Sequence, residues 1–452
     1  MKDGHSNDTI AAIATPPGRG GVSIVRISGP RAAAIAEQVL GRVPDVRAAT
    51  LATFLGENNE ALDEGIALYF AAPASFTGED VLELHGPGGA IVTDRILTRA
   101  LQLGARLAEP GEFSRRAFLN DKLDLAQAEA IADLIDSGSI EAARAAMRSL
   151  QGEFSDAVHS LTDVVIEARM HVEAAIDFPE EEVDFLGDAE LHARIHNAIA
   201  LCTQITSKAR QGALLREGMT IVIAGKPNAG KSSLLNRLAG YDAAIVTDIP
   251  GTTRDILRER IHIDGMPLHI LDTAGLRDDA DLVEAEGIKR AREAMRSADR
   301  ILYVVDSASQ PSRAELAAEL DRLPSDAPVS VIFNKVDLLQ RLSRYEQSSP
   351  PRIELSATTG EGVELLQQHL KECVGFQGAD AGTLSARRRH LDALARADAH
   401  LHEALRQLTE CRAGELMAEE LRQAQQALNE ITGEFTADDL LGRIFSSFCI
   451  GK

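Results

Sequence analysis

Eight residues, Gly225-Lys-Pro-Asn-Ala-Gly-Lys-Ser232, fit the pattern G-x-x-x-x-G-K-[ST]. Glycines let the backbone curl so that its N–H groups face phosphate oxygens, and a helix N-terminus adds partial positive charge. Lys231 would neutralise β/γ-phosphate charge and Ser232 would offer its hydroxyl to Mg2+. Asn228, Ala229, Gly230 and Ser233 belong to the same cradle. A second motif, Asn334-Lys-Val-Asp337, follows an apolar run. Its Asp337 carboxylate can accept two N–H donors from a guanine edge, a pair that adenine lacks. Lys335 flanks it, and Ser356-Ala357 would support the base through backbone N–H groups. The order and spacing favour GTP over ATP.

Asp272-Thr273-Ala274-Gly275 ends another apolar run. Asp272 can hold Mg2+ through water, and the Gly275 N–H can face the γ-phosphate. Thr252 and Thr253 lie in Gly251-Thr-Thr-Arg-Asp255. One of their hydroxyls can complete the Mg2+ shell while γ-phosphate is present, as in GTPase switches. Many GTPases carry a water-orienting glutamine after Asp-x-x-Gly; here the position is Leu276, which can neither donate nor accept. A downstream carboxylate is the natural replacement, and Asp278, Asp279, Asp281, Glu284 and Glu286 are all candidates. Charge compensation could come from Arg254, Arg277 or a bound monovalent cation. Asn228 and the backbone carbonyls of the Thr247-Asp248-Ile249-Pro250 stretch through Thr252 could ligate that cation, since proline keeps its carbonyl.

The elements that must position these groups are legible in outline. Val22–Ile27, Ala67–Phe70 and Val81–His85 read as strands, and Ala32–Leu40 and Val92–Leu103 as helices. Gly29–Pro30 and Gly86–Pro87 punctuate them. The spacing predicts an α+β or α/β domain over the first ~120 residues. Long amphipathic helices follow, with Leu123, Ala126, Ala130 and Leu134, then Ile140, Ala143, Met147, Leu150 and Phe154, forming the apolar stripe. The acidic run Pro179–Asp184 reads as a solvated loop. Ile221–Ala224, Ile301–Val305 and Val329–Phe333 are continuous apolar runs typical of strands buried on both faces of a parallel sheet. Arg258–Ile263 and Pro267–Leu271 flank Asp264-Gly265, a hairpin signal. Ser232–Leu238 should be the helix opened by the phosphate loop. Helical patterning returns from Ala386 to Phe448, so one helical domain with an inserted doubly wound α/β domain is the economical architecture.

The chain has 452 residues and a formal net charge of −22, which argues against adhesion to nucleic acid or anionic membranes. Four scattered cysteines form no Cys-x-x-Cys pair. Absence of a signal-type start and of a spanning apolar stretch reads as a cytoplasmic protein with no membrane association. His85 and His171 read as structural, and Arg387-Arg-Arg-His390 as a solvated basic face or a phosphate contact.

The segment order resembles the MnmE (TrmE) family of tRNA uridine-modification GTPases. Ala14-Thr-Pro-Pro-Gly-Arg-Gly-Gly21, Phe76-Thr-Gly-Glu-Asp80, Asn120-Asp-Lys-Leu-Asp-Leu-Ala-Gln-Ala-Glu129, the GTPase motifs and the ending Phe448-Cys-Ile-Gly-Lys452 carry the resemblance. It implies a folate-binding and dimerising domain at 1–121 and a helical domain at 122–217 and 381–452. An inserted Ras-like P-loop G domain would occupy 218–380. It also implies a K+-stimulated GTP hydrolase working as a homodimer in a heterotetramer with the flavoprotein MnmG. Together they would install an aminomethyl or carboxymethylaminomethyl group on the wobble uridine of certain tRNAs. The one-carbon unit would come from a 5-formyl- or methylene-tetrahydrofolate derivative, with FAD and NADH handled by the partner. By position, Asn228, Thr247, Ile249 and Thr252 match K+ ligands, Ser232 and Thr253 match Mg2+ ligands, and Glu284 matches the catalytic carboxylate. Arg26, Glu83, Lys122 and Lys452 match folate contacts. Carboxylates suit paired pterin N–H donors, and Arg or Lys suits an anionic glutamate tail. Cys449 matches the family's C-terminal cysteine and is a candidate for chemistry there; the alternative is a small buried hydrophobe.

Overall fold

The computed structural model describes residues 8–177, 189–240, 258–272, 295–296, 298–309, 311–323, 327–378, 382–411, 413–434, 438–446, 448–449 and 451. The chain forms two compact units. One comprises Met1–Ala132, Ser149–Ile199 and Arg396–Lys452, the other Asp133–Arg148 and Ala200–Ala395.

The first unit holds a mixed sheet of β1 (Thr9–Ile13), β2 (Gly20–Ser28), β3 (Thr50–Leu55), β4 (Ala61–Phe70), β5 (Val81–Gly88) and β6 (Ala105–Leu107). Their spatial order is β3-β4-β5-β2-β1-β6. Helices α1 (Ala32–Leu40) and α2 (Ala90–Gln102) cover one face, seating Ile35, Val39, Ile96 and Ala100 against Val25, Ile27, Leu82 and Leu84. The Gly86–Pro87 pair, expected to break the chain after β5, lies inside it. β2 slips register between Gly20 and Ser23 opposite this point, and the Ser23 hydroxyl donates to the Pro87 carbonyl at 3.2 Å. A bulge of this kind removes the need for an N–H that proline lacks.

Helices α3 (Glu112–Leu119), α4 (Leu125–Ile135), α5 (Ile140–Leu150), α6 (Glu153–Asp177) and α7 (Ala189–Glu217) follow. The acidic run Pro179–Asp184 lies outside the described residues. The stripe expected on α4 is buried at Ala126 and Ala130, and Phe154 of the second stripe is fully buried, but on α5 Ile140 is 66% and Met147 45% exposed. Ala142, Ala145 and Ala146 are buried instead. Side-chain size predicted the wrong face because close approach to a neighbouring element selects the smallest residues.

The second unit holds seven strands, β7 (Met219–Gly225), β8 (Arg258–Ile263), β9 (Met266–Asp272), β10 (Arg300–Asp306), β11 (Val329–Asn334), β12 (Arg344–Glu346) and β13 (Arg352–Glu354). They lie in the order β12-β13-β11-β10-β7-β9-β8, with β13, β11, β10, β7 and β9 mutually parallel. Alternating side chains feed two cores. Ile221, Ile223, Leu302 and Val304 meet α8 (Lys231–Ala239) and α10 (Val363–Val374), while Val222, Ala224, Tyr303 and Val305 meet α9 (Arg313–Leu320). This is the doubly wound sheet that continuous apolar runs imply. After it come α11 (Arg388–Arg406), α12 (Gly414–Thr432) and α13 (Asp438–Ser446). α12 packs along α6, with Arg169 Nη1 donating to Gln425 Oε1 at 2.6 Å.

Candidate functional site

β7 delivers the chain to its carboxyl end, where Gly225 turns with φ +138°. A Cβ there would stand 2.2 Å from the Val304 carbonyl oxygen, so the loop can pass β10 this closely only as glycine. Asn228 and Gly230 also take positive φ, +61° and +95°, and Gly230 leads into α8. Lys231 opens that helix, and its ammonium donates to the Gly225 and Lys226 carbonyls at 3.0 and 2.8 Å. Ser232 and Ser233 follow in the exposed first turn, open to a phosphate-bound cation. Below the loop, Lys226 pairs with Glu319, which accepts from the Tyr303 hydroxyl at 2.8 Å. Lys226 holds the Glu319 carboxyl below its usual range, and burial with the Glu319 bond raises the Tyr303 phenol.

Asn334, 2% exposed at the end of β11, ties two loops together. Its Nδ2 donates to the Ala229 carbonyl at 3.0 Å and its Oδ1 accepts from Ala357 N–H at 2.9 Å. A Cβ on Gly230 would fall 2.1 Å from that Nδ2. Lys335, at φ +67°, bridges the Asn228 carbonyl (2.7 Å) and Asp306 Oδ2 (2.6 Å). That ammonium holds the Asp306 carboxyl below its ordinary range. Asp337 Oδ1 is buried with no hydrogen-bond partner among the described residues. A buried carboxylate oxygen of this kind is costly unless a donor arrives, and a guanine N–H supplies one. Ser356 is fully buried; its N–H donates to the Glu361 carbonyl at 2.9 Å, which orders the loop that presents Ala357.

The structure therefore brings Asn228, Ala229, Gly230, Lys231, Ser232, Ser233, Asn334, Lys335, Asp337, Ser356 and Ala357 to one sheet edge. Asp272 ends β9 beside Ile223 of β7, next to the phosphate loop. Thr247, Asp248, Ile249, Pro250, Gly251, Thr252, Thr253, Thr273, Ala274, Gly275, Leu276, Glu284 and Lys452 lie outside the described residues.

A second site forms in the first unit. Arg26 and Glu83 are direct partners across β2 and β5, and Arg26 Nε donates to Glu83 Oε1 at 2.7 Å. Arg26 Nη1 also donates to the Gly451 carbonyl at 3.2 Å, and its guanidinium stacks 5.7 Å from the Phe113 ring centroid. Gly451 has φ +94°, and a Cβ on it would meet the Ile13 carbonyl oxygen at 2.5 Å. The C-terminal segment is therefore seated against β1, held behind by Phe445 and Phe448 on Phe118, Leu125 and Ala128.

His85, read as structural, adjoins this pair: its Nε2 lies 3.1 Å from Glu83 Oε2. The signal was the two-residue spacing of Glu83 and His85 on one strand, which puts both on one face. Lys122 donates to the Pro73 carbonyl at 3.1 Å, and no contact among the described residues links it to Arg26 or Glu83. Cys449 is exposed, against the buried-hydrophobe reading; its carbonyl accepts from Gly111 N–H at 3.4 Å. The run beginning at Arg387 is solvated only in part, at Arg388, which is exposed. Arg387 pairs with Asp133 at 2.8 Å and His390 is 2% exposed.

No described helix is long and apolar enough to cross a membrane. Residues 9–122 match the family model described as the GTP-binding protein TrmE N-terminus, and residues 125–449 that of the MnmE helical domain. The tRNA modification GTPase MnmE of Proteus mirabilis (strain HI4320) is 59% identical over 453 residues, covering 99% of this chain and 100% of that protein. That of Stutzerimonas stutzeri (strain A1501) is also 59% identical over 453 residues, covering 99% of each. With both family models matched along the chain and relatives 59% identical over 99% of it, this chain belongs to the MnmE family of tRNA modification GTPases.

Proposed function

We propose that the chain is a K+-stimulated GTP hydrolase which, with the flavoprotein MnmG, installs an aminomethyl or carboxymethylaminomethyl group at the wobble uridine of certain tRNAs. In this reading residues 1–121 bind a tetrahydrofolate derivative and form the homodimer, 122–217 and 381–452 make the helical domain, and 218–380 hydrolyse GTP. The observation that carries it is the Arg26–Glu83–His85 cluster closed by the Gly451 carbonyl, in a chain that also carries a phosphate loop and an Asn-Lys-x-Asp motif. Glu83 can accept paired N–H donors of a pterin, and Arg26 can hold an anionic tail or a carbonyl oxygen. The folate supplies a one-carbon unit at an electrophilic oxidation level. Arg26, Glu83 and His85 bind and orient it.

In the G domain, Lys231 and the α8 N-terminus receive phosphate charge, and Ser232 with Thr253 suits Mg2+. Asn228, Thr247, Ile249 and Thr252 suit K+, which replaces an arginine in offsetting charge that develops on the transferring phosphoryl group. Glu284 orients water where Leu276 cannot.

Two measurements on the purified full chain test this. GTP turnover should be faster in K+ than in Na+, and a reduced folate should bind with Arg26 and Glu83 intact. Equal turnover in both salts, or no folate binding, overturns the corresponding part. Unaltered wobble-uridine nucleosides in a deletion strain would overturn the whole.

A further inference from the structure

One hairpin joins the nucleotide edge of the sheet to its far edge. β8 follows the stretch containing Thr252 and Thr253, and β9 runs into Asp272 and the Thr273-Ala274-Gly275 string. Because β9 is parallel to β7, its Asp272 end lies at the phosphate-loop edge and the Asp264–Gly265 turn at the opposite one. The seven residue steps from Gly265 to Asp272 span about 23 Å of extended chain.

The far turn is fastened to α5. Ser139 Oγ donates to the Gly265 carbonyl at 2.9 Å, and the same oxygen accepts from Ala142 N–H at 3.1 Å, capping the helix. A Cβ on Gly265 (φ +85°) would lie 2.6 Å from Glu141 Oε2 and 2.9 Å from Glu141 Cβ, so turn and helix meet at van der Waals distance. Met266, fully buried, packs with Ala142, Ala145, Leu215 and Phe376. This contact is why α5 buries alanines rather than Ile140 and Met147.

The chain crossings beside the hairpin are tied as well. Asp133 Oδ1, near the end of α4, accepts from Arg216 Nε at 2.9 Å and from Arg387 Nη2 at 2.8 Å, and its Oδ2 accepts from Ser385 at 2.9 Å. Arg216 is in the last turn of α7 before β7; Ser385 and Arg387 precede α11. One carboxylate thus grips the chain both entering and leaving the G domain. A Cβ on Gly212 of α7 would stand 1.7 Å from the Leu384 carbonyl oxygen, so the two crossings also touch. With both crossings held, displacement of the hairpin is delivered to α5 instead of being taken up as slack.

We propose that the β8–β9 hairpin is the output lever of the nucleotide site, and that Ser139, Glu141 and Gly265 form its coupling point on α5. This rests on the GTP-hydrolase reading, and the three are positioning residues that touch no nucleotide.

The test is hydrogen exchange of the α5 amides in the full chain, with GDP or a non-hydrolysable GTP analogue bound, and GTP turnover measured on the same preparations. In the parent, exchange should differ about tenfold between the two nucleotides, as for a change in local opening. Ser139→Ala should shrink that difference and Gly265→Ala abolish it, with nucleotide affinity within twofold of the parent. A residue that only stabilises α5 would shift exchange equally in both states and preserve the difference. A parent with no nucleotide dependence in α5, or a difference undiminished in Ser139→Ala, overturns the proposal. A parent that turns over no GTP overturns the hydrolase reading and the lever with it.

Discussion

Replacing Asn334 by alanine should cripple nucleotide binding with little loss of fold stability. The amide makes two buried hydrogen bonds, to the Ala229 carbonyl and from Ala357 N–H. In Asn334→Ala both buried backbone groups lose their partner. Neither belongs to a strand or helix, so in the free protein each loop can relax outward and hydrate its orphan. The sheet beneath, with Ile332 fully buried, is untouched. Binding must then draw both loops back, and the cost moves from folding to affinity. At about 1–1.5 kcal/mol for each lost bond, the deficit is about 2–3 kcal/mol, or roughly 30- to 150-fold in Kd. Titration of a fluorescent GDP analogue, alongside a thermal melt, measures both quantities. A Kd within threefold of the parent would show that the two loops hold themselves, and the tethering argument would fail.

Three further outcomes are expected. Arg26→Ala and Glu83→Gln should each weaken reduced-folate binding at least about tenfold, from loss of a charge-assisted contact, while GTP turnover stays unchanged; a parallel fall in turnover would show that the two sites are not separable. Glu284→Ala should slow hydrolysis strongly with nucleotide affinity nearly intact, as for a group acting in the transition state, and a normal single-turnover rate would remove that assignment. Burial opposes ionisation of Glu112, yet Arg106, the Glu109 N–H and Arg116 together keep its carboxyl below its ordinary 4.5. A folded-state value depressed in this way gives stability that is complete above 4.5 and lost as pH falls below it. The urea midpoint of the parent should therefore drop on acidification through that window more than that of Glu112→Gln, and equal slopes would refute the linkage.

Motifs whose chemistry is local were legible from residue order alone. The phosphate loop needs only its glycines, Lys231 and Ser232 in a row between a strand and a helix, and Asn334 and Asp337 stand at a strand end marked by its own apolar run. The hairpin around Asp264-Gly265 was equally plain, because both turn positions take positive φ, +50° and +85°. His85 was legible only as a same-face neighbour of Glu83 two residues away; that Arg26 stands across the sheet from Glu83 was decided by strand register. The α5 face was misread for a related reason: counting large apolar residues cannot reveal that a glycine turn will come close enough to require alanine.

The residues and their order thus determined where the phosphate loop and the Asn-Lys-x-Asp motif stand, because each motif is made of neighbours in the chain. Tertiary structure alone decided that Arg26 meets Gly451, 425 residues away, that Asp133 clasps both crossings into the G domain, and that Ser139 seats the far end of the hairpin. Each of these depends on strand register or helix approach, which are set by packing across the whole unit and leave no trace in local spacing.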